Sequence, residues 1–349
     1  MTRPTSPRTD TSADRGAESD RPGPAVPRLL LGAYALAPSG SSAEADVLAA
    51  LPALGVQALE VPLPAPGTAG ETARWVATHL PDGFDLVVTA IPRTMQRLAD
   101  DPAYGLSSSD LDARRAALDD LAELRDLAQR LSDDAGRPRL TAVELHSAPG
   151  PGLGTLAAFR ESLDEVLAWD LGGARLLVEH CDALVDGQQA VKGFWPLHDE
   201  LTVLHSLAGD VPEVASRLGV SVNWGRSAIE GRSARTPVEH VRAAAEAGLL
   251  RAVVFSGAAA SPTPWGAAWE DQHIAPRGDD PALGLSEGSL LGAEEIAETL
   301  AAARGTALDV VGIKVTVRPD TADAQDRVAV ARASLRLVTE ALGHEAVLT

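Results

Sequence analysis

The sequence has little cysteine, little lysine, few aromatic residues and no long apolar run, and these shortages exclude several classes of protein. The single cysteine, Cys181, excludes an intramolecular disulfide framework. No apolar run approaches the ~18 residues of a membrane span, and no signal-peptide core is present. The formal net charge of −19 repels nucleic-acid phosphates and anionic lipids. We therefore expect a cytoplasmic protein with neither nucleic-acid nor membrane partners.

Glycine motifs for nucleotide binding are also missing. The nearest stretch, residues 150–154 (G-P-G-L-G), has the wrong spacing for a dinucleotide fingerprint, and no Walker-type phosphate loop occurs.

Residues 1–27 are rich in Pro, Ser, Thr, Asp and Arg and lack the apolar residues needed for a core. They are predicted to form a disordered tail, and residues 28–349 a single domain.

From Arg28 onward the chain contains short apolar runs that alternate with Ala- and Leu-rich amphipathic stretches. This alternation is typical of parallel βα units. The runs are residues 29–34, 58–62, 86–90, 142–146, 176–180, 220–224, 252–256 and 310–315. They predict an α/β fold with a single (β/α)8 TIM barrel, and the alternative is a doubly wound open sheet. The last helix should begin near Thr321 and end at Gly343.

Polar residues stand where these runs end, and in a TIM barrel that end of the strands forms the active-site face. The fifth run ends in Glu179 and His180 and continues into Cys181 and Asp182. These residues are therefore predicted at the barrel mouth. The other strand ends and the loops after them contribute Tyr34, Glu60, Thr89, Glu144, His146, Asn223, Trp224, Arg226, Ser256 and Lys314.

Lysine is rare in this chain, because Lys192 and Lys314 are the only lysines among 30 basic residues. Both fall at the predicted mouth. Lysine carries a compact charge that can lose its proton when buried, whereas arginine is planar and permanently charged. The pattern favours a functional cation at Lys314, and the alternatives are chance or a structural ion pair between Lys314 and Glu179.

The aromatic residues also concentrate near the predicted mouth: Tyr34, Phe194, Trp195, Trp224, Trp265 and Trp269 lie at strand ends or in the following loops. Flat rings suit the apolar faces of sugars, although such rings can also simply cover the end of a barrel.

The long loop after strand 7, between Gly257 and Gly292, carries Asp271 and His273 and is predicted to be a lid.

Some residues allow two interpretations. Cys181 is expected to be buried and inert rather than nucleophilic, since neighbouring strand residues face opposite sides. Arg226 and Arg232 either clamp an anionic group or pair with Glu230. The remaining histidines are predicted to lie at the surface: His79, His198, His205, His240 and His344.

Several segments resemble an uncharacterised bacterial domain-of-unknown-function family grouped with the xylose isomerase-like barrels, over about residues 28–345. They are G-A-Y-A-L-A-P (32–38), V-E-L-H-S-A-P (143–149), L-V-E-H-C-D-A (177–183), V-N-W-G-R-S-A-I-E-G-R-S (222–233) and D-Q-H (271–273). The wider superfamily contains sugar isomerases and epimerases, so the resemblance implies a barrel and a small-molecule carbohydrate substrate.

The resemblance also bears on metal binding. The superfamily usually binds a divalent cation through acidic and histidine side chains on strands 5 to 8. The corresponding positions here are Glu179, Asn223, Ser256 and Lys314, so only Glu179 is retained and the usual site is predicted to be absent. A different site for Mn²⁺ or Mg²⁺ stays open, drawn from Glu144, His146, Glu179, His180, Asp182, Asp271 and His273.

Three functions follow. The first is a sugar or sugar-acid isomerase or epimerase in which Lys314 replaces the metal, while Glu144 and Glu179 move a proton α to a carbonyl. The others are a Schiff-base lyase using Lys314 and a non-catalytic carbohydrate-binding barrel. A homo-oligomer is left open. Substrate binding is assigned to Tyr34, Glu60, His146, His180, Asp182, Lys192, Asn223, Trp224, Arg226, Asp271 and His273.

Overall fold

The structure, a computed structural model, describes residues 26–38, 40–209 and 211–347, with side chains described as far as residue 343. The predicted tail lies outside the described residues up to residue 25. The tail and domain boundaries therefore stay predictions.

Eight parallel strands close into a barrel in which each strand pairs with the next and β8 pairs with β1. The strands are β1 Arg28–Leu31, β2 Ala58–Pro62, β3 Asp85–Thr89, β4 Leu140–Leu145, β5 Arg175–His180, β6 Leu218–Asn223, β7 Leu250–Phe255 and β8 Val310–Ile313. Every strand overlaps one of the predicted apolar runs, and the (β/α)8 barrel is confirmed. The open-sheet alternative is wrong because β1 and β8 pair from Arg28↔Val310 to Leu31↔Ile313.

Helices surround the barrel. They are α1 Ala33–Leu36, α2 Glu44–Ala50, α3 Ala69–His79, α4 Ile91–Asp100, α5 Leu111–Leu121, α6 Glu123–Ala135, α7 Leu156–Leu167, α8 Leu197–Ala208, α9 Pro212–Arg217, α10 Trp224–Gly231, α11 Thr236–Glu246, α12 Ala293–Ala302 and α13 Ala324–Val347. Short 3-10 helices cover Leu51–Leu54 and Pro281–Ser286. Among the described helices, none is both long and apolar enough to span a membrane.

Two details differ from the predictions. Helix α13 continues through Gly343 to Val347, so Gly343 does not end it. Tyr34 and Trp224 lie within α1 and at the start of α10, rather than at strand ends. In both cases the strand stops before the aromatic residue and a helix begins at once.

The alternation of side chains along each strand divides the interior into two layers. An apolar layer inside the barrel includes Leu30, Ala58, Val87, Ala142, Leu177, Ala252, Val254 and Val310. The intervening residues, such as Leu176 and Val178 on β5, pack outward against the helices. Because successive strand residues face opposite sides, Glu179 follows Leu177 inward and His180 follows Val178 outward.

Candidate active site

A buried polar layer lies above the apolar barrel core, at the carboxyl ends of the strands. It consists of Glu60, Thr89, Glu144, His146, Glu179, Ser221, Asn223, Ser256 and Lys314, all of them buried. Each residue stands two or four positions after an inward apolar or small residue of its own strand. The strand geometry therefore gathers side chains that are far apart in the sequence.

Lys314 points into this layer and forms an ion pair with Glu60, with Nζ 2.5 Å from Oε1. The hydroxyl of Tyr34 donates to the same Glu60 oxygen at 3.1 Å, and the Lys314 ammonium lies 5.1 Å from the centre of the Tyr34 ring. Burial favours the neutral amine, but the facing Glu60 carboxylate outweighs it, and the pKa of Lys314 is raised well above its ordinary value. The cationic form of Lys314 is therefore favoured in this layer.

Glu179 has a different cationic partner. Its Oε1 lies 2.5 Å from a terminal guanidinium nitrogen of Arg226, and His146 Nε2–H donates to its Oε2 at 2.8 Å. Asn223 and Thr89 stand farther away, at 3.4 and 3.5 Å. The two carboxylates therefore have different cationic partners: Glu60 pairs with Lys314, and Glu179 pairs with Arg226.

Glu144 and Glu179 face inward from neighbouring strands, yet their pKa values are shifted in opposite directions. Burial, together with the nearby charges of Glu179 and Glu60, raises the pKa of Glu144 well above its usual range. Burial also acts on Glu179, but Arg226 and Lys314 outweigh it and hold its pKa well below the usual range. The surroundings consequently favour the neutral form of Glu144 and the ionised form of Glu179.

Two acidic oxygens in this layer lack partners. Ser221 donates to Oε1 of Glu144 at 2.7 Å, whereas Oε2 of Glu144 and Oε2 of Glu60 are buried without a hydrogen-bond partner among the described residues. Buried polar atoms are nearly always paired, so both oxygens are available to a polar ligand.

The loop after β7 covers this layer. Asp271 Oδ2 lies 2.5 Å from Lys192 Nζ and 3.2 Å from Arg226 Nε, so one carboxylate joins three segments of the chain. His273 Nδ1 lies 2.8 Å from Ser256 Oγ and 3.2 Å from Asp271 Oδ1, and burial lowers the pKa of His273 to about 3. The loop thus contacts Ser256 of the polar layer and Arg226, the cationic partner of Glu179.

A divalent metal does not fit beside Glu179 in this arrangement. The ligand atoms of His146, Glu179 and Cys181 lie within 4.8 Å of one another. However, Arg226 donates to Glu179 and also to Cys181 Sγ at 3.4 Å, which places a guanidinium among these atoms. Burial raises the pKa of the Cys181 thiol, so a thiolate ligand is disfavoured. The wider set suggested by the sequence is not a single site, because His180 and Asp182 lie elsewhere.

The structure places three of the predicted binding residues away from the polar layer. His180 points to the helical layer and contacts Glu200 and Glu230. Asp182 accepts the backbone N–H groups of Val191 and Lys192 at 2.8 and 2.9 Å, which shapes the loop after β5.

Trp224 is the third, since its indole N–H donates to Thr299 of α12 at 3.2 Å. Trp195 and Trp265 also direct their indole N–H groups to protein oxygens, those of Pro149 and Thr316. Among the aromatic residues predicted near the mouth, Tyr34 contacts the buried polar layer. Its hydroxyl donates to Glu60, and its ring faces the Lys314 ammonium.

Two other expectations are corrected. Neither arginine pairs with Glu230: Arg226 binds Glu179 and Asp271, and Arg232 binds Gln188 and lies 5.2 Å from the Trp269 ring centre. His240 is not a surface residue, because only 15% of its side chain is exposed. His79, His198 and His205 are exposed as predicted, and the His344 side chain lies outside the described residues.

Sequence reasoning missed two residues that shape the site. Ser221 contacts Glu144, and its position two residues before Asn223 on β6 was the available signal. Gly32 makes room for the ion pair, since a Cβ there would lie 2.9 Å from Lys314 Cγ and 3.2 Å from Glu60 Oε2. A glycine next to a strand end has no signal of this kind until its neighbours are known.

Comparisons with known proteins agree with this fold. Residues 30–330 match the family described as Domain of unknown function (DUF4862). An uncharacterized protein of Salmonella typhimurium is 33% identical over 273 residues, which cover 76% of this chain and 81% of that protein.

Solved structures give the same architecture. A D-psicose 3-epimerase from Clostridium cellulolyticum, determined with D-tagatose, has a TM-score of 0.54 and 16% identity, covering 91% of this chain and 99% of its own. A xylose isomerase-like TIM barrel/4-hydroxyphenylpyruvate dioxygenase fusion protein has a TM-score of 0.54 and 15% identity, covering 91% of this chain and 43% of its own. The chain therefore belongs to the DUF4862 family, and it shares the TIM-barrel fold of these solved structures.

Proposed function

We propose that this protein is a sugar or sugar-acid isomerase or epimerase that moves a proton α to a carbonyl, with protein cations in the role that a metal has in the wider superfamily. One observation carries the proposal: two buried carboxyl groups on adjacent strands, Glu144 and Glu179, lie beside the buried cations Lys314 and Arg226, and their pKa values are shifted in opposite directions. The sugar-epimerase fold of the structural neighbours supports the same substrate class.

The reaction needs a base, an acid and a stabilised oxyanion. The Glu179 carboxylate takes the proton from the carbon next to the substrate carbonyl, and the C–H electron pair moves to give an enediolate. Lys314 and Arg226 stabilise the negative oxygen, a task that fixed charges perform well in a buried site. Neutral Glu144 returns a proton to carbon, and both carboxyl groups then re-equilibrate with solvent.

Substrate binding uses residues that border the buried polar layer and are themselves partly exposed. Tyr34, Lys192, Asp271 and His273 surround the covered site and are assigned to substrate contact, and His146 and Asn223 orient Glu179. The unpartnered oxygens of Glu60 and Glu144 can accept hydrogen bonds from substrate hydroxyl groups. Entry requires the loop after β7 to move, because Glu144, Glu179 and Lys314 are at most 1% exposed.

The Schiff-base alternative receives less support. That chemistry requires a neutral amine on Lys314, whereas the ion pair with Glu60 raises the pKa of this lysine. The carbohydrate-binding alternative uses the same contacts without turnover, so the test must separate binding from proton transfer.

The test is solvent deuterium exchange. The protein is incubated in D2O with a panel of ketoses, aldoses and keto-sugar acids, and loss of the α C–H signal is followed by NMR, with EDTA and with added Mn²⁺. We expect exchange that survives EDTA and falls about 10²- to 10³-fold in Lys314→Met, as for loss of an oxyanion-stabilising group. Glu179→Gln should fall at least as far.

The controls are exposed residues of matching type, Arg115→Met and Glu161→Gln, which should exchange like the wild type. Lys314→Arg tests shape at constant charge. Exchange at the wild-type rate in Lys314→Met would show that Lys314 is structural. Binding of a panel sugar in a thermal-shift assay without any exchange would instead support the non-catalytic barrel and overturn the enzyme.

A further inference from the structure

A second cluster of titratable residues lies outside the barrel, where β5 meets α10 and α11. His180 Nε2 lies 3.0 Å from Glu230 Oε2, and His240 Nε2 lies 3.5 Å from Glu230 Oε1. One potential ligand atom from each of the three residues lies within 4.8 Å of the others. This outer cluster, His180, Glu230 and His240, has no part in the proposed reaction.

We propose that the outer cluster binds a zinc ion through both His Nε2 atoms and the Glu230 carboxylate. Two ligands that each lie 2.0–2.1 Å from a tetrahedral zinc are roughly 3.3 Å apart. His180 Nε2 lies 3.0 Å from one Glu230 oxygen and His240 Nε2 lies 3.5 Å from the other, both close to this value, and one ligand atom of each residue lies within 4.8 Å of the other two. Two histidines and one glutamate are a recurring zinc ligand set.

The other ring nitrogens are held by neighbouring groups in the way that zinc ligands require. His180 Nδ1 lies 2.8 Å from Glu200 Oε2, and Ser147 donates to the other Glu200 oxygen at 2.6 Å. His240 Nδ1 lies 3.0 Å from Ser227 Oγ. Such contacts fix the ring orientation and the tautomer, and they direct both Nε2 atoms toward Glu230.

The charges and the solvent exposure of the outer cluster are compatible with a bound divalent cation. Glu200 and Glu230 bring two negative charges to a place where His180 and Glu200 are fully buried. A proton on His180 balances one of them, whereas Zn²⁺ balances both. Glu230 and His240 are 13% and 15% exposed, which leaves access for the ion and for a water molecule as fourth ligand.

The proposed ion would lie outside the proposed reaction site. It would join the end of β5 to α10 and α11, one residue beyond the inward-facing Glu179. This inference does not depend on the proposed catalytic function, because none of the three ligands belongs to the polar layer inside the barrel.

The first measurement uses the unmodified full chain. The protein is stripped with a chelator, reloaded with Zn²⁺ and desalted, and bound zinc is measured by atomic absorption. We expect about one ion per chain and a higher melting temperature in the presence of zinc. Co²⁺ in place of Zn²⁺ should give the visible absorption of a tetrahedral nitrogen and oxygen site. Failure of the wild type to retain zinc or cobalt overturns the proposal.

Variants then locate the ion. His240→Gln and Glu230→Gln should abolish retention, and Glu200→Gln should weaken affinity about 10- to 100-fold, as for a residue that orients a ligand. His79→Ala, on the surface, should bind like the wild type. His146→Ala tests the competing group inside the barrel: if this variant loses the ion while His240→Gln keeps it, the outer site is wrong. Circular dichroism checks that each variant folds.

Discussion

Glu144 and Glu179 show how the surroundings, rather than the residue type, determine the state of a carboxyl group. Both are fully buried glutamates on adjacent strands. Glu179 touches Arg226 and accepts from His146, whereas among the described residues Glu144 has only the neutral hydroxyl of Ser221 within hydrogen-bonding distance. The ionised form is therefore stabilised at one site and penalised at the other.

The raised pKa of Glu144 predicts a pH dependence of stability. Its folded pKa exceeds the unfolded value of ~4.3, so proton binding stabilises the folded state fully below ~4.3, and this contribution is lost as pH rises through the folded pKa. Glu144→Gln keeps a neutral side chain at every pH. We therefore expect the free energy of unfolding of the wild type to fall relative to Glu144→Gln as pH rises.

Urea unfolding of both proteins at several pH values between 4 and 9 would measure this difference, in which contributions from other titrating groups largely cancel. Glu161→Gln, at an exposed position, serves as the control and should show no such trend. Parallel pH profiles for the wild type and Glu144→Gln would contradict the prediction.

Gly32 predicts a steric effect on the Lys314–Glu60 pair. In Gly32→Ala the new methyl group would lie 2.9 Å from Lys314 Cγ, so the side chain must shift. We expect destabilisation of about 1–3 kcal/mol, typical of overpacking, and a large loss of deuterium exchange. Gly83→Ala is the matched control, because no heavy atom lies within 4 Å of its added Cβ. Equal melting temperatures and exchange rates for both variants would refute the steric role.

At the scale of elements, the loop after β7 acts as a unit because Asp271 ties it to Lys192 and Arg226. Burial alone would raise the pKa of Asp271, but these cations and His273 hold it well below its usual range, so the carboxylate is charged in the closed state. A lid role for this loop stays a prediction, and these contacts are what opening would break.

Asp271→Asn should weaken the closed state of this loop. Replacing the carboxylate removes both ion pairs while nearly preserving shape, so we expect the loop amides to lose at least ~10-fold of their hydrogen-exchange protection. Asp279→Asn, an exposed change in the same loop, provides the comparison. Unchanged protection in Asp271→Asn, measured by mass spectrometry of loop peptides, would show that other contacts hold the loop.

At the scale of the whole molecule, closure of the barrel depends on the pairing of its first and last strands. β1 begins at Arg28 and pairs with β8 over Arg28↔Val310 to Leu31↔Ile313. A chain that starts at residue 26 retains every described strand. We therefore expect deletion of residues 1–25 to change the melting temperature little.

A longer deletion gives the contrast. Removal of residues 1–31 takes away β1 and leaves β2 and β8 with unpaired edges, so the barrel should not fold cooperatively. Differential scanning calorimetry of the two truncated proteins measures both outcomes. A melting temperature many degrees lower after the shorter deletion would show that the first residues contribute to the fold.

The sequence by itself determined the number of strands, their order and the inward direction of the polar residues. These properties are local, because strand periodicity is set within a few residues: once Leu177 faces the core, Glu179 must face inward as well. The same rule should have placed His180 outside. Although its position at the strand end predicted a place at the mouth, His180 points outward and contacts Glu200 and Glu230.

Only the tertiary structure decided which groups meet. Lys314 pairs with Glu60, which is 254 residues away, rather than with Glu179, and the cation in contact with Glu179 is Arg226. His240 joined His180 and Glu230 because α11 packs beside α10, although its helix alone predicted a surface position. The charge state of a buried group depends on these distant partners and on the water they exclude, and neither is written in the local pattern of residues.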